Sequence, residues 1–174
     1  VLSPCTHAEK DGAAKGAALF AKWLRGGIGG AIAFLIASVV SNTLFFQLGR
    51  GILFETEQQS DKLLAVLFEM EPLPLMFSNG LLYLAIAMGI GVVHGLVFAY
   101  IEPVLPRHTI GRGLAFAGIL WALMALYFEF HAPFNMFGEP LVLVAVELGF
   151  WVIVLATEGI ILSLSYGPSR VATS

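Results

Sequence analysis

Four long apolar stretches, at 27–48, 75–101, 113–130 and 141–166, fill most of this chain. Each reaches or nearly reaches the ~20 residues a helix needs to cross ~30 Å of hydrocarbon. Backbone N–H and C=O groups find no water at that depth, so only helices and closed barrels cross. The stretches are continuously apolar, not alternating, which selects helices over barrel strands. The expected fold is an all-α integral membrane protein with four transmembrane helices in a bundle. Charged residues make up 12% of the 174-residue chain, about half the ~25% usual in soluble domains. That argues against a soluble fold.

The expected organisation follows from these limits. Residues 1–26 form a cytoplasmic arm, 27–166 the transmembrane domain with an outer loop at 49–74, and 167–174 a cytoplasmic tail. Lys10, Lys15, Lys22, Arg25, Arg107, Arg112 and Arg170 share one side of this arrangement, against Arg50 and Lys62 on the other. The positive-inside rule then places both termini in the cytoplasm of what is expected to be a bacterial inner membrane. No cleavable signal peptide is evident, so targeting is expected through the first helix. Within the arm, 11–25 reads as an interfacial helix, with Leu19, Phe20, Trp23 and Leu24 opposite Lys15, Lys22 and Arg25. A second amphipathic piece is expected at about 57–70, where Leu63, Leu64, Leu67 and Phe68 form a stripe.

Cysteine and charge exclude several classes. Cys5 is the single cysteine, so neither an intrachain disulfide nor a cysteine-based metal site is available. Nine Lys and Arg spread along the whole chain give no nucleic-acid footprint. No nucleophile–base set and no phosphate-binding glycine loop stands out. Gly111-Arg112-Gly113 reads as a helix start in a basic loop, able at most to touch lipid phosphate.

Ionisable residues inside the spans are the candidate site. His94 lies in the second stretch, and Glu147 and Glu158 in the fourth. Such residues are costly in hydrocarbon, so they face the protein interior and find partners. His94 and Glu158 fall at one depth, and are expected within direct or single-water hydrogen-bond reach. Glu147 precedes Glu158 by eleven residues, close to three turns, so the two share a face about 16 Å apart, with Trp151 and Val154 on it. An outer-end polar cluster is expected from Glu129, His131 and Glu139. Glu129 and His131 are two apart and do not share a helix face. Glu102 reads as a plain helix terminus.

Three chemistries fit this pattern: a buried polar clasp, a proton or ion path through His94, Glu147 and Glu158, and a metal or haem centre. One internal histidine is few for haem, and too few ligands share a layer for zinc or a di-iron site. No metal site is assigned and no cofactor is required, although structural lipid is expected.

Small residues recur at four-residue spacing: Gly26 and Gly30, Gly91 and Gly95, Gly113 and Ala117, Ala145 and Gly149. Such faces let helices approach closely, within the chain, in self-association or against other membrane subunits. A faint repeat pairs Arg25-Gly26 with Arg112-Gly113, and His94-Gly95 with Glu158-Gly159. The favoured expectation is a non-catalytic accessory or structural subunit of a larger membrane complex. The alternatives are a proton, ion or small-molecule translocator and a membrane metal or haem redox protein. The topology is directly testable. A reporter active only in the periplasm, fused after Ser174, should give no signal; a signal would reverse the orientation.

Overall fold

Four helices are long and apolar enough to cross a membrane: Ala14–Leu48, Gly80–Val104, Thr109–Met136 and Leu141–Tyr166. The structure is a computed structural model and describes residues 5–167. All regular structure among these residues is helical. The expected tail at 168–174 lies outside them.

The first helix, α1 (Cys5–Asn42), ends in a π-helical turn at Thr43–Leu48. It runs unbroken through 11–25, so the segment read as an interfacial helix is continuous with the first span, as a helical lead-in to that span also would be. No proline or strong cap interrupts the sequence there. Three short helices follow: α2 (Arg50–Leu53), α3 (Asp61–Phe68) and α4 (Leu75–Ser78). Helix α3 is shorter than the amphipathic piece expected at 57–70, because Ser60 caps its start by accepting from Leu63 N–H at 3.4 Å. Its Leu63 is buried. Phe46, Phe54, Phe68 and Phe77 form a closed set of ring contacts, with centroids 5.3 to 5.9 Å apart, that ties α2, α3 and α4 to the end of the first span.

The second span starts at Gly80, five residues later than its apolar stretch. Asn79 leaves helical geometry and caps α5 (Gly80–Ile101), its Oδ1 accepting from Leu82 N–H at 3.1 Å. The third span begins at Thr109 and continues past Phe130. It comprises α6 (Thr109–Leu120), a π-helical turn at Trp121–Ala125, α7 (Leu126–Glu129) and a second π-helical turn at Phe130–Met136. Pro133, which has no N–H, lies in that last turn. The fourth span, α8 (Leu141–Tyr166), starts after Pro140 and stops at Gly167, whose φ of 74° suits glycine.

The helices pack antiparallel. Helix α1 lies along α5 and α8, and α6 lies along α8. Two backbone crossings set these contacts. Gly26 and Gly30 meet Gly95 and Gly91, and a Cβ on Gly26 would sit 2.6 Å from the Gly95 carbonyl oxygen. Gly113 meets Gly159, where a Cβ on Gly113 would sit 2.7 Å from the Gly159 oxygen. Three of the four small-residue faces are thus occupied inside the chain. At the fourth, Ala145 and Gly149 are exposed. The two crossings fall at matching places in the faint repeat.

Both crossings lie toward one end, called the terminal side because Lys22 and Tyr166 meet there, the Tyr166 hydroxyl donating to Lys22 O at 2.8 Å. Ala33, Phe98, Phe116 and Leu162, one from each span, are wholly buried together at this end. The Phe98 ring stands edge-on to Phe116 and Tyr166. At the opposite end, the loop side, residues 80–86 of α5 are all exposed. Helix α5 therefore packs tightly only in its terminal-side half.

The crossings have a mechanical consequence. Gly95→Leu should lower stability by about 1–3 kcal/mol or more through overpacking. Gly89→Ala, where the space is open, should stay within about 0.5 kcal/mol of the parent. Thermal unfolding in detergent measures both; equal stability of the two variants would refute the crossing.

Candidate functional site

The polar groups inside the spans form three layers. The middle layer is His94 on α5 and Glu158 on α8, two helices that both lie along α1. His94 Nδ1 lies 2.7 Å from Glu158 Oε1. Glu158 is 1% exposed and His94 9%. The Phe34 ring stands edge-on to the imidazole at 5.6 Å. A carboxylate and an imidazole Nδ1–H satisfy each other in such a site, and one proton can be held by either partner.

The terminal-side layer centres on Arg112, which the sequence marked as part of a helix start in a basic loop. Arg112 is 1% exposed. Its Nε donates to Ser163 Oγ at 2.9 Å, and its terminal nitrogens donate to Ser163 O at 2.9 Å, Gly167 O at 2.6 Å and Glu102 Oε1 at 3.2 Å. Glu102 also pairs with Lys22 at 3.5 Å. Glu102 is thus more than a helix terminus. Burial of Arg112 follows from its neighbour Gly113, which draws the start of α6 against α8. The guanidinium also sits over the Phe98 ring, 5.7 Å from its centroid.

The loop-side layer holds Glu129, Glu139 and Glu147. One carboxylate oxygen from each lies within 4.8 Å of those of the other two. The spans contribute Glu129 and Glu147, and the connection before Pro140 contributes Glu139. Both Glu129 and Glu139 are 1% exposed. Trp151 Nε1–H donates to Glu129 Oε1. Gln59 Nε2 donates to Glu139 Oε1 at 2.6 Å and to Leu53 O at 2.8 Å, while Gln59 Oε1 accepts from Ser60 N–H at 2.7 Å. Burial raises the Glu139 carboxyl above the usual carboxylate range. The Gln59 donor opposes that shift, the nearby Glu129 charge adds to it, and a contact with Glu147 opposes it.

This layer differs from the expected groupings in two respects. His131 is exposed and stacks on Tyr127, with centroids 5.2 Å apart, so it stands outside the Glu129–Glu139 cluster. Glu147, expected on the Glu158 face but well apart from it, joins Glu129 and Glu139, a grouping the sequence did not indicate. Gln59 was missed. It sits in a polar loop with no periodicity to mark it; only the fold over Leu53 buries it.

Two neighbouring cavities link the middle and loop-side layers. One of about 250 Å³ is lined from all four spans and includes Phe34, Tyr83, Met124, Trp151 and Glu158. The other, about 360 Å³, includes Asn42, Phe45, Glu129, Glu147 and Trp151. Both are walled in part by Ser38, Ser41, Tyr83, Phe128 and Trp151. Comparison with protein families, characterised proteins and solved structures gives no match for this chain.

The middle pair has a testable signature. Glu158→Leu leaves the buried imidazole without its acceptor, a loss of roughly 1–3 kcal/mol. Glu158→Gln retains a carbonyl acceptor and should be milder. Thermal unfolding in detergent should rank parent, Gln and Leu in that order; equal behaviour of Gln and Leu would show that the hydrogen bond contributes nothing.

Proposed function

We propose that the chain is a four-helix bundle in a bacterial cytoplasmic membrane, with both termini cytoplasmic, and that it moves protons across that membrane. The observation that carries this reading is the pair of adjoining cavities, one bordered by Glu158 and the other by Glu129 and Glu147. A buried carboxyl at the end of such a cleft is reachable by a proton carried on water. His94, at hydrogen-bond distance, is the natural next acceptor.

The uneven packing of the two ends is what an alternating-access reading draws on. Residues 80–86 of α5 are exposed at the loop side, whereas Phe98, Phe116 and Leu162 are buried together at the terminal side. Arg112, paired with Glu102, lies beside that buried cluster. In this reading the proton arrives at Glu158, passes to His94, and leaves when the terminal-side aromatics part.

The accessory-subunit reading draws its support from small-residue faces. The Ala145–Gly149 face remains exposed and suits a partner helix. Purification followed by mass measurement tests that reading separately, since a stable co-purifying subunit would favour it.

Proton movement is tested in proteoliposomes carrying an internal pH dye, with a potassium diffusion potential as the driving force. The parent protein should acidify or alkalinise the lumen faster than protein-free vesicles. Glu158→Gln should fall to the protein-free baseline while retaining its helical circular dichroism. A parent protein no faster than empty vesicles would overturn the reading.

A further inference from the structure

We propose that Glu129, Glu139 and Glu147 hold a hard divalent cation at the loop side. This inference goes beyond proton movement and stands independently of it, since the acids lie apart from the His94–Glu158 pair.

The first observation is geometric. Three carboxylates from three segments converge so that one oxygen of each lies within 4.8 Å of the others. Oxygens arranged around one ion at 2.0–2.6 Å, as magnesium and calcium require, fall within about twice that distance of one another.

The second observation is independent of the clustering. Glu129 Oε2 and Glu139 Oε2 are buried with no hydrogen-bond partner among the described residues. The other oxygen of each is already held, Glu129 Oε1 by Trp151 and Glu139 Oε1 by Gln59. Each carboxylate is therefore held by an N–H donor on one oxygen, and Glu147 is the side chain that faces both of them inside the cluster. Outer donors that fix one oxygen while the second ligates are the usual support of a metal carboxylate. An orphaned buried oxygen otherwise carries its full desolvation cost.

Charge points the same way. Among the described residues, no ion pair joins Glu129, Glu139 or Glu147 to a lysine, arginine or histidine. Lys62, the nearby cation of α3, donates instead to Met136 O at 2.7 Å. Three ionised carboxylates carry three negative charges, and one divalent cation with one retained proton makes the site neutral. The ligand set is all oxygen, with no sulfur or imidazole, since His131 stacks outside. That selects the magnesium, calcium and manganese class over zinc or copper. The adjoining cavity bordered by Glu129 and Glu147 leaves room for the waters that complete such a shell.

The test uses the full chain, purified in detergent, stripped with chelator and titrated with Mn²⁺ read by electron paramagnetic resonance. The parent should bind one Mn²⁺ per chain, displaceable by Ca²⁺ or Mg²⁺, and its thermal unfolding should shift upward with the metal. Glu139→Gln and Glu147→Gln, each nearly isosteric, should weaken binding by about tenfold or more, and Gln59→Ala by a similar or smaller factor. Glu158→Gln should bind as the parent does, which separates this site from the proton reading. Absence of stoichiometric Mn²⁺ binding by folded parent protein would overturn the proposal and assign the three acids to bound protons alone. So would binding that survives both triad substitutions. The parent titration decides the matter even if a triad variant fails to fold.

Discussion

Backbone contact at glycine is the constraint on which the remaining structure depends. Helices in lipid gain no hydrophobic drive toward one another, so close van der Waals approach has to hold them. Gly26 and Gly30 against Gly91 and Gly95, and Gly113 against Gly159, provide it. The residues next to these glycines in the chain are His94, Glu158 and Arg112. All three are buried. Separating α1 from α5, or α6 from α8, by one side-chain thickness would strand each of them.

Tight crossing at one end leaves the other end open. Residues 80–86 of α5 are exposed, and Tyr83 among them borders both cavities. Polar satisfaction follows the same gradient. Arg112 meets Ser163, Gly167 and Glu102, and His94 meets Glu158, so these buried groups recover the interactions they lose with water. Among the described residues, the buried oxygens with no donor on a neighbouring N–H or hydroxyl are Glu129 Oε2 and Glu139 Oε2, at the loop side. The chain thus concentrates stability at the terminal side and unmet binding capacity at the loop side.

The third span departs most from regular helix, and it does so at the cavities. The π-helical turn at Trp121–Ala125 supplies Met124 and Ala125 to the cleft. The turn at Phe130–Met136 follows Glu129 directly. Glu129 is buried while His131, two residues on, is exposed beside Tyr127. Widened turns of this kind recur at functional sites because they redirect side chains at the cost of ideal hydrogen bonding. Trp151 spans both cavities from α8, and its indole N–H on Glu129 joins the third and fourth spans.

The sequence by itself determined the class and the number of crossings, because hydrocarbon thickness and the need for internal backbone hydrogen bonds leave little choice. It also marked His94 and Glu158 as a pair, since depth along a helix can be counted in residues. Long-range placement was decided only by the tertiary structure. Arg112 read as part of a helix start able at most to touch lipid phosphate, and the structure buries it against Ser163, Gly167 and Glu102. Gln59 carried no periodic signal, and its burial depends on a loop folding back over Leu53. Glu147 shares a helix face with Glu158 but lies apart from it, and its neighbours are Glu129 and Glu139. Periodicity reports which way a side chain points from its own helix. What it meets there depends on how other segments cross, and in this chain that was settled by glycines, widened turns and a loop.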